Sequence, residues 1–452
     1  MRTKEKSPVD PERSDSSPSV IEAEGDNTHN DAVFGELNDS KGPNYRNVGW
    51  IGIIGLMLKA QVGLGVLSIP AVFDVLGLIP GVICILAVGG IVTWSCYMVG
   101  VFKLRHREVY GIDDAGFLMF GPLGREVFGV FYCIYYIFIA GSAILSLSIG
   151  LNAVSMHGTC TAVFVVIGAL IGFMFSSIRT LGKLTWVAWV GITSVLTAVL
   201  MVAIAVGIQD RPSEAPQDGP WTSDYKLFKT PSFTSAVTAV SSLVFSFGGA
   251  PSFFALIAEM RDPRDYTRSL MICQSLVTAI YISIGCVVYY FCGSYVATPA
   301  LGSAGVMLKR VAYGLALPGL AITTTVIAHF PAKYMFSVWL GCTFSVNLIA
   351  YLIASGIPSF GPLVSLIGAL LGALLNLQPM GCMWLYDNWN SGKTERSTKW
   401  RVGAAWSVFV IVAGTFLMVA GTYGSVVAII DAYKGLDAGA WSCADNSNSV
   451  SS

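Results

Sequence analysis

Charge is what this 452-residue chain has least of. Lys, Arg, Asp and Glu make up 12% of it, with Lys+Arg and Asp+Glu balanced at 27 each, against about 25% charged residues in soluble domains. With no basic excess to track a phosphate backbone, no nucleic-acid partner is expected. So few charges cannot coat a water-soluble globule of this size. Histidine is scarce as well: His29, His106, His157 and His329 are scattered and show no zinc-site spacing. The ten cysteines set out no disulfide framework. Seven of them (Cys84, Cys96, Cys133, Cys273, Cys286, Cys342 and Cys382) lie in apolar runs, where Cys acts as a small hydrophobe. Cys160, Cys292 and Cys443 lie near expected outer helix ends, where a bridge could form but no spacing selects a pair. The N-terminal stretch lacks an apolar h-region, so no cleaved signal peptide is expected.

What the chain has is hydrocarbon. Apolar types make up 54%, and the mean hydropathy is +0.66. Residues 1–48 are polar, with ten acids and six bases, and read as a disordered cytosolic tail. Beyond them come eleven apolar runs, each long enough to cross about 30 Å of lipid: 49–72, 79–102, 127–151, 161–178, 184–207, 233–258, 269–292, 316–337, 339–357, 361–383 and 403–430. The expectation is an all-α polytopic membrane protein with a transmembrane domain at 49–430 and a short extracytosolic C-tail at 431–452. Putting the N-terminus inside leaves 14 Lys and Arg in inner loops and 6 in outer segments, the asymmetry that orients membrane proteins. Residues 103–126 become an inner segment, with Phe117–Phe120 lying in the interface.

Two runs are interrupted at mid-depth. The first carries Gly63-Leu64-Gly65-Val66-Leu67-Ser68-Ile69-Pro70; the sixth carries Phe245-Ser246-Phe247-Gly248-Gly249-Ala250-Pro251. A lone pair of small residues commonly serves only close helix packing. Matched breaks in two halves of a chain point instead to an inverted-repeat transporter. Unwound backbone must line a cavity in the membrane, where freed amides suit a carboxylate and freed carbonyls an ammonium.

Lys59 lies about ten residues beyond Trp50, roughly 15 Å deep at 1.5 Å per residue. An ammonium at that depth costs about 2.5–3.5 kcal/mol on insertion scales and is usually functional, although one satisfied by backbone carbonyls would be merely structural. In the eighth run, Thr323, Thr324, Thr325 and His329 precede Pro331; the hydroxyls can ligate a cation, and His329 could carry protons or simply pack. Tyr132, Tyr135 and Tyr136 read first as packing or interface aromatics, with Tyr136 the candidate to close over a substrate. Glu259, Arg261 and Asp262 read as a solvated helix end, the alternative being a gate-like ion pair.

The two breaks together with Glu259-Met260-Arg261-Asp262-Pro263 resemble the amino acid/auxin permease family, and most closely its fungal neutral amino acid permeases. The likeness runs from about Gly49 to Ile430. It implies eleven helices in a LeuT-like five-plus-five inverted repeat, and import of amino acids without a cofactor. Carried over, backbone at Val62, Gly63, Leu64 and Gly65 holds the substrate carboxylate. Backbone at Ser246, Phe247, Gly248 and Gly249 holds its amino group, and Phe247, Phe253 and Tyr136 shape the side-chain pocket. Sodium-coupled relatives commonly have Asn where this chain has Lys59, with a helix-eight Thr completing the ion site. Lys59, Thr324, Thr325 and His329 are therefore the ion-coupling candidates, with protons replacing sodium.

One departure from the family stands out. Lys333 is the only charge between Val311 and Asp387, so the polar inner hairpin usual between helices eight and nine is missing and the turn at Ser337–Gly341 must be very tight.

No acid lies mid-span to match a cationic substrate, which favours neutral amino acids. Rings of charge or repeated filter loops, as a channel needs, are lacking, as are the paired intramembrane His or Asp that an embedded enzyme would use. A sensor that binds an amino acid without moving it remains the alternative. The plasma membrane is favoured over the vacuole.

Overall fold

The computed structural model describes residues 48–177, 184–216, 218–334, 339–357, 359–394, 397–435 and 440–449. The tail before Val48 lies outside these residues. So do 335–338, at the turn expected near Ser337–Gly341, and the side chain of His329.

The described chain is helical: α1 (Trp50–Val62), α2 (Ile69–Leu76), α3 (Leu78–Arg105), α4 (Ile112–Ser155), α5 (Thr161–Ser176), α6 (Leu184–Ile208), α7 (Phe233–Phe247), α8 (Ala250–Ala258), α9 (Tyr266–Cys292), α10 (Val306–Tyr334), α11 (Trp339–Gly356), α12 (Phe360–Leu366), α13 (Ala373–Asn376), α14 (Gln378–Thr394), α15 (Thr398–Phe416) and α16 (Thr422–Gly435). Nine helical stretches among the described residues are long and apolar enough to cross a membrane, and Thr161–Ser176 and Gly341–Gly356 are shorter apolar helices. Together they match the eleven expected runs, with α1–α2, α7–α8, α12–α14 and α15–α16 each forming one interrupted rod. Helices are what lipid demands, because only they pair every backbone group within one segment.

The two broken rods sit at the centre. In Phe233–Ala258, 83% of the most apolar window is buried within the protein, and in Trp50–Leu67, 78%, whereas in Thr398–Lys434 only 17% is. The last rod therefore turns its Val412, Phe416, Val419 and Tyr423 outward. α10 packs on α4 and α6, α9 on α1, α2 and α3, and the π-helical turn Ile367–Gly372 on α7.

Local chemistry sets the boundaries. Ser232 caps α7 by accepting from the Ser235 amide (3.2 Å), and Ser397 caps α15 through Trp400 (3.2 Å). Pro70 and Pro251 sit in the first turns of α2 and α8, where a missing N–H costs nothing. Gly77 joins α2 to α3 at φ +90°, with the Lys229 amide 2.8 Å from where a Cβ would stand. Asp262 caps the turn before α9 by accepting from the Arg264 amide (2.9 Å). Val48 pairs with the far end of α8, donating to Glu259 O (3.3 Å) and accepting from Arg261 N (3.0 Å).

Two features differ from the expectation, and a third fills in what it left open. The interfacial segment continues into α4 through a bend at Gly121 (φ 72°, ψ −161°), which is followed by Pro122. α10 starts at Val306, not 316, because Lys309 and Arg310 find carbonyls at Asn448 (3.1 Å) and Val154 (3.3 Å) and so end up within its first turns. Cys160 and Cys443 form a disulfide, while Cys292 is free and buried. The bridge pins the C-terminal segment to the start of α5. There Thr161 donates to Ala444 O (2.6 Å) and Asn152 to Asn446 (2.7 Å).

Candidate functional site

The two breaks meet in space. α1 ends at Val62, Gly63 and Leu64 leave the helix, a single tight turn runs Gly65–Leu67, and α2 begins at Ile69. α7 ends at Phe247; Gly248 is extended (ψ 141°), and α8 begins at Ala250. Gly65 permits the approach. A Cβ there would lie 2.8 Å from Ser246 Cα and 2.6 Å from the Tyr281 hydroxyl.

Side chains take up many of the groups the breaks set free. Ser68 donates to Gly65 O (2.9 Å), and the Ser246 hydroxyl, which donates to Ser242 O of its own helix (2.8 Å), lies 3.2 Å from both Gly65 O and the Ser68 hydroxyl. Gln61 donates to Phe247 O (2.9 Å). Tyr281 of α9 brings its hydroxyl to Gln61 O (3.0 Å) and Ser246 O (2.8 Å). Asn376 of α13 accepts from the Gly249 amide (2.9 Å) and the Ala250 amide (3.0 Å). The Gly63 and Leu64 amides and the Gly248 carbonyl find no partner among the described residues. Two donors and one acceptor thus remain at mid-rod, the complement of a zwitterion.

Lys59 is 3% exposed. Its ammonium donates to Thr323 Oγ1 (2.6 Å) and Gly319 O (2.9 Å) of α10, and no carboxylate pairs with it among the described residues. The Thr323 hydroxyl in turn donates a hydrogen bond to Gly319 O (2.8 Å). Gly191 of α6 leaves room, since a Cβ there would stand 2.9 Å from the Lys59 Cε.

A cavity of about 30 Å³ lies beside this ammonium, lined by Tyr135, Tyr136, Gly248, Gly249, Ser252 and Thr323 among others. It holds about one water. A second cavity, of about 830 Å³, opens at the end carrying the disulfide and reaches Ser68 and Ser242; Trp441 and Asn446 of the C-terminal segment form part of its wall.

The structure brings Lys59, Tyr136, Gly248 and Gly249 together around the small cavity, and gathers Val62, Gly63, Leu64, Gly65 and Ser246 at the breaks. Phe247 turns away, packing on Tyr281 (ring centroids 5.1 Å apart) and against Gly89. Phe253 is fully buried and lines neither cavity. Thr324 and Thr325 donate to the Leu320 and Ala321 carbonyls of their own helix, so Thr323 is the hydroxyl that meets Lys59.

The family model for transmembrane amino acid transporter proteins matches residues 46–342 and 331–427. The chain belongs to the transmembrane amino acid transporter family. The two matched stretches of the transporter overlap at 331–342. It is 31% identical to a "Transmembrane transporter" of Gibberella moniliformis, over 95% of this chain and 96% of that protein. It is also 31% identical to the "N amino acid transport system protein" of Neurospora crassa, over 86% of each chain. The "Amino acid transporter AVT3C" of Arabidopsis thaliana is 25% identical over 82% of this transporter and 88% of its own length.

Sequence reasoning missed Gln61, Tyr281 and Asn376, and did not select Tyr135 or Thr323 from their clusters. The signal for Asn376 and Gln61 was available: an uncharged amide inside an apolar run must find partners there. Tyr281 carries no such signal, because a tyrosine in a span reads as an ordinary aromatic.

Proposed function

We propose that this transporter imports neutral amino acids in symport with protons, from a plasma membrane in which its N-terminus is cytosolic. The observation that carries the reading is the Lys59 ammonium on Thr323 Oγ1 and Gly319 O, beside the cavity between the broken rods. A fixed charge there takes the place of a bound sodium ion. The free amides at Gly63 and Leu64 suit the substrate carboxylate, and the Gly248 carbonyl suits its amino group. A five-plus-five inverted repeat accounts for why the two breaks face each other.

The cavity of about 30 Å³ is smaller than any amino acid, so loading requires the rods to part, as alternating access demands. The wide cavity reaching Ser68 is the approach from outside. Tyr135 and Tyr136 form the side-chain wall, in place of Phe247 and Phe253. The orientation draws support from the loop charges and from the Cys160–Cys443 bridge, since disulfides persist in oxidising compartments.

Radiolabelled uptake in a transport-deficient cell, with pH and sodium varied, tests this. Uptake should continue in sodium-free buffer and rise as external pH falls, and Lys59→Asn should bring sodium dependence. Strict sodium dependence of the unaltered protein overturns the coupling assignment. Binding without uptake would make it a sensor.

A further inference from the structure

We propose that Asn376 sets the direction and the charge class of the substrate by blocking one of two carboxylate sites. The inference rests on the import of neutral amino acids proposed above.

Breaking two rods at mid-membrane frees backbone amides in two places, just past the last turn of α1 and at the start of α8, and amides so placed can donate to an anion. The break at Gly63 and Leu64, just past the last turn of α1, stays open among the described residues. The start of α8 does not, because Asn376 is fully buried and its Oδ1 accepts from both Gly249 N (2.9 Å) and Ala250 N (3.0 Å). The two amides can only donate, so the atom facing them is the oxygen. Its Nδ2 donates to Gly372 O (2.9 Å) and lies 3.3 Å from the Tyr135 hydroxyl, which lines the small cavity. Four contacts thus hold the carboxamide in one pose. It gives α8 the cap of an N-cap asparagine, from a different helix.

Two consequences follow. With the α8 amides occupied, a substrate carboxylate is directed to the α1 break, and an amino acid is read in one direction only. The carboxamide also satisfies those amides without bringing charge. Among the described residues, Lys59 is the only Lys, Arg, His, Asp or Glu lining the small cavity, so a lysine or arginine substrate meets an ammonium and no counter-charge there. An aspartate in the same place would keep both amide bonds, accept from the Tyr135 hydroxyl in exchange for the lost bond to Gly372 O, and add the missing negative charge.

The test measures uptake of each of the twenty labelled amino acids, and of D-enantiomers of the transported ones, at matched surface amounts of the full chain. Asn376→Asp should raise lysine and arginine uptake at least tenfold relative to the best neutral substrate. Asn376→Ala, which frees the α8 amides, should reduce discrimination between L and D forms at least tenfold. Asn376→Ser, whose hydroxyl can accept from the same amides, should keep the original profile; thermal melting in detergent reports its folding independently. Unchanged charge preference and unchanged L/D discrimination in the Asp and Ala variants overturn the proposal, as does a folded Ser variant that behaves like Ala. An unaltered protein that takes up no amino acid would sink the import reading instead, and the two failures are distinguishable in one experiment.

Discussion

The ammonium of Lys59 on α1 donates to the hydroxyl of Thr323 on α10 at 2.6 Å, across 264 residues of sequence. It is an intramembrane cation held by a hydroxyl and a carbonyl with no carboxylate beside it among the described residues. A hydrogen bond to a charged group contributes about 1.5–3 kcal/mol. Thr323→Val keeps the shape and removes that acceptor. Uptake should fall about tenfold or more at unchanged surface amount, while Thr325→Val, whose hydroxyl bonds only its own helix, should change it less than twofold. Equal effects of the two in labelled uptake would refute the assignment.

The approach of the two breaks depends on Gly65. A methyl there meets backbone at Ser246 and the Tyr281 hydroxyl, both under 3.0 Å away, and overpacking of this kind costs about 1–3 kcal/mol. Gly65→Ala should lower the thermal midpoint in detergent and reduce uptake at least tenfold. Gly90→Ala, with nothing within 4 Å of the added carbon, is the control and should leave both unchanged.

The Cys160–Cys443 bridge ties the C-terminal segment across the wide cavity. Cys443→Ser should release it. A C-terminal epitope should then be clipped faster by protease added to intact cells. That epitope should be stained without permeabilising the cells, and an N-terminal one only after it. The reverse pattern would invert the orientation.

Ahead of α7, Lys229 donates to Asp74 of α2 at 2.6 Å. Partial burial opposes the Lys229 charge, but the bond and charge of Asp74 outweigh it, so its pKa lies above the ordinary lysine value. A raised lysine pKa means stability fully present below the unfolded value, about 10.4, and lost as pH climbs through the folded one. Asp224 behaves oppositely. Burial pushes its carboxyl up, yet the Ser294 amide and hydroxyl and the Lys229 charge bring it below the ordinary range. Its contribution is complete above about pH 4 and fades in acid. Neither titrates between pH 5 and 8. Asp224→Asn and Lys229→Ala should therefore keep the pH profile of uptake even where they lower its rate; a shifted midpoint would show that this pair takes part in coupling.

Much of the architecture is legible in the chain. Eleven apolar runs, the two glycine breaks and the buried lysine are local facts, each read from a window of residues against the cost of putting backbone or charge into lipid. The helix that begins at Val306 was not legible, because Lys309 and Arg310 look like loop charges until Asn448 and Val154 supply carbonyls to them. Nor was the choice among Thr323, Thr324 and Thr325. Adjacent threonines on a helix point about 100° apart, and only the position of α1 decides which one faces Lys59. Phe247 and Phe253 flank the break in sequence and yet face the packing behind it.

Composition and periodicity by themselves determined that this is a multi-pass membrane protein and where two of its helices cannot stay wound. Those outcomes depend on the transfer of short segments between water and lipid, which each segment settles alone. Only the tertiary structure decided that Cys160 pairs with Cys443, that Tyr281 and Asn376 satisfy the opened backbone, and that the Thr323 hydroxyl accepts a hydrogen bond from Lys59. Such pairings join residues tens to hundreds of positions apart, and a hydrogen bond forms only when packing brings donor and acceptor within about 3 Å.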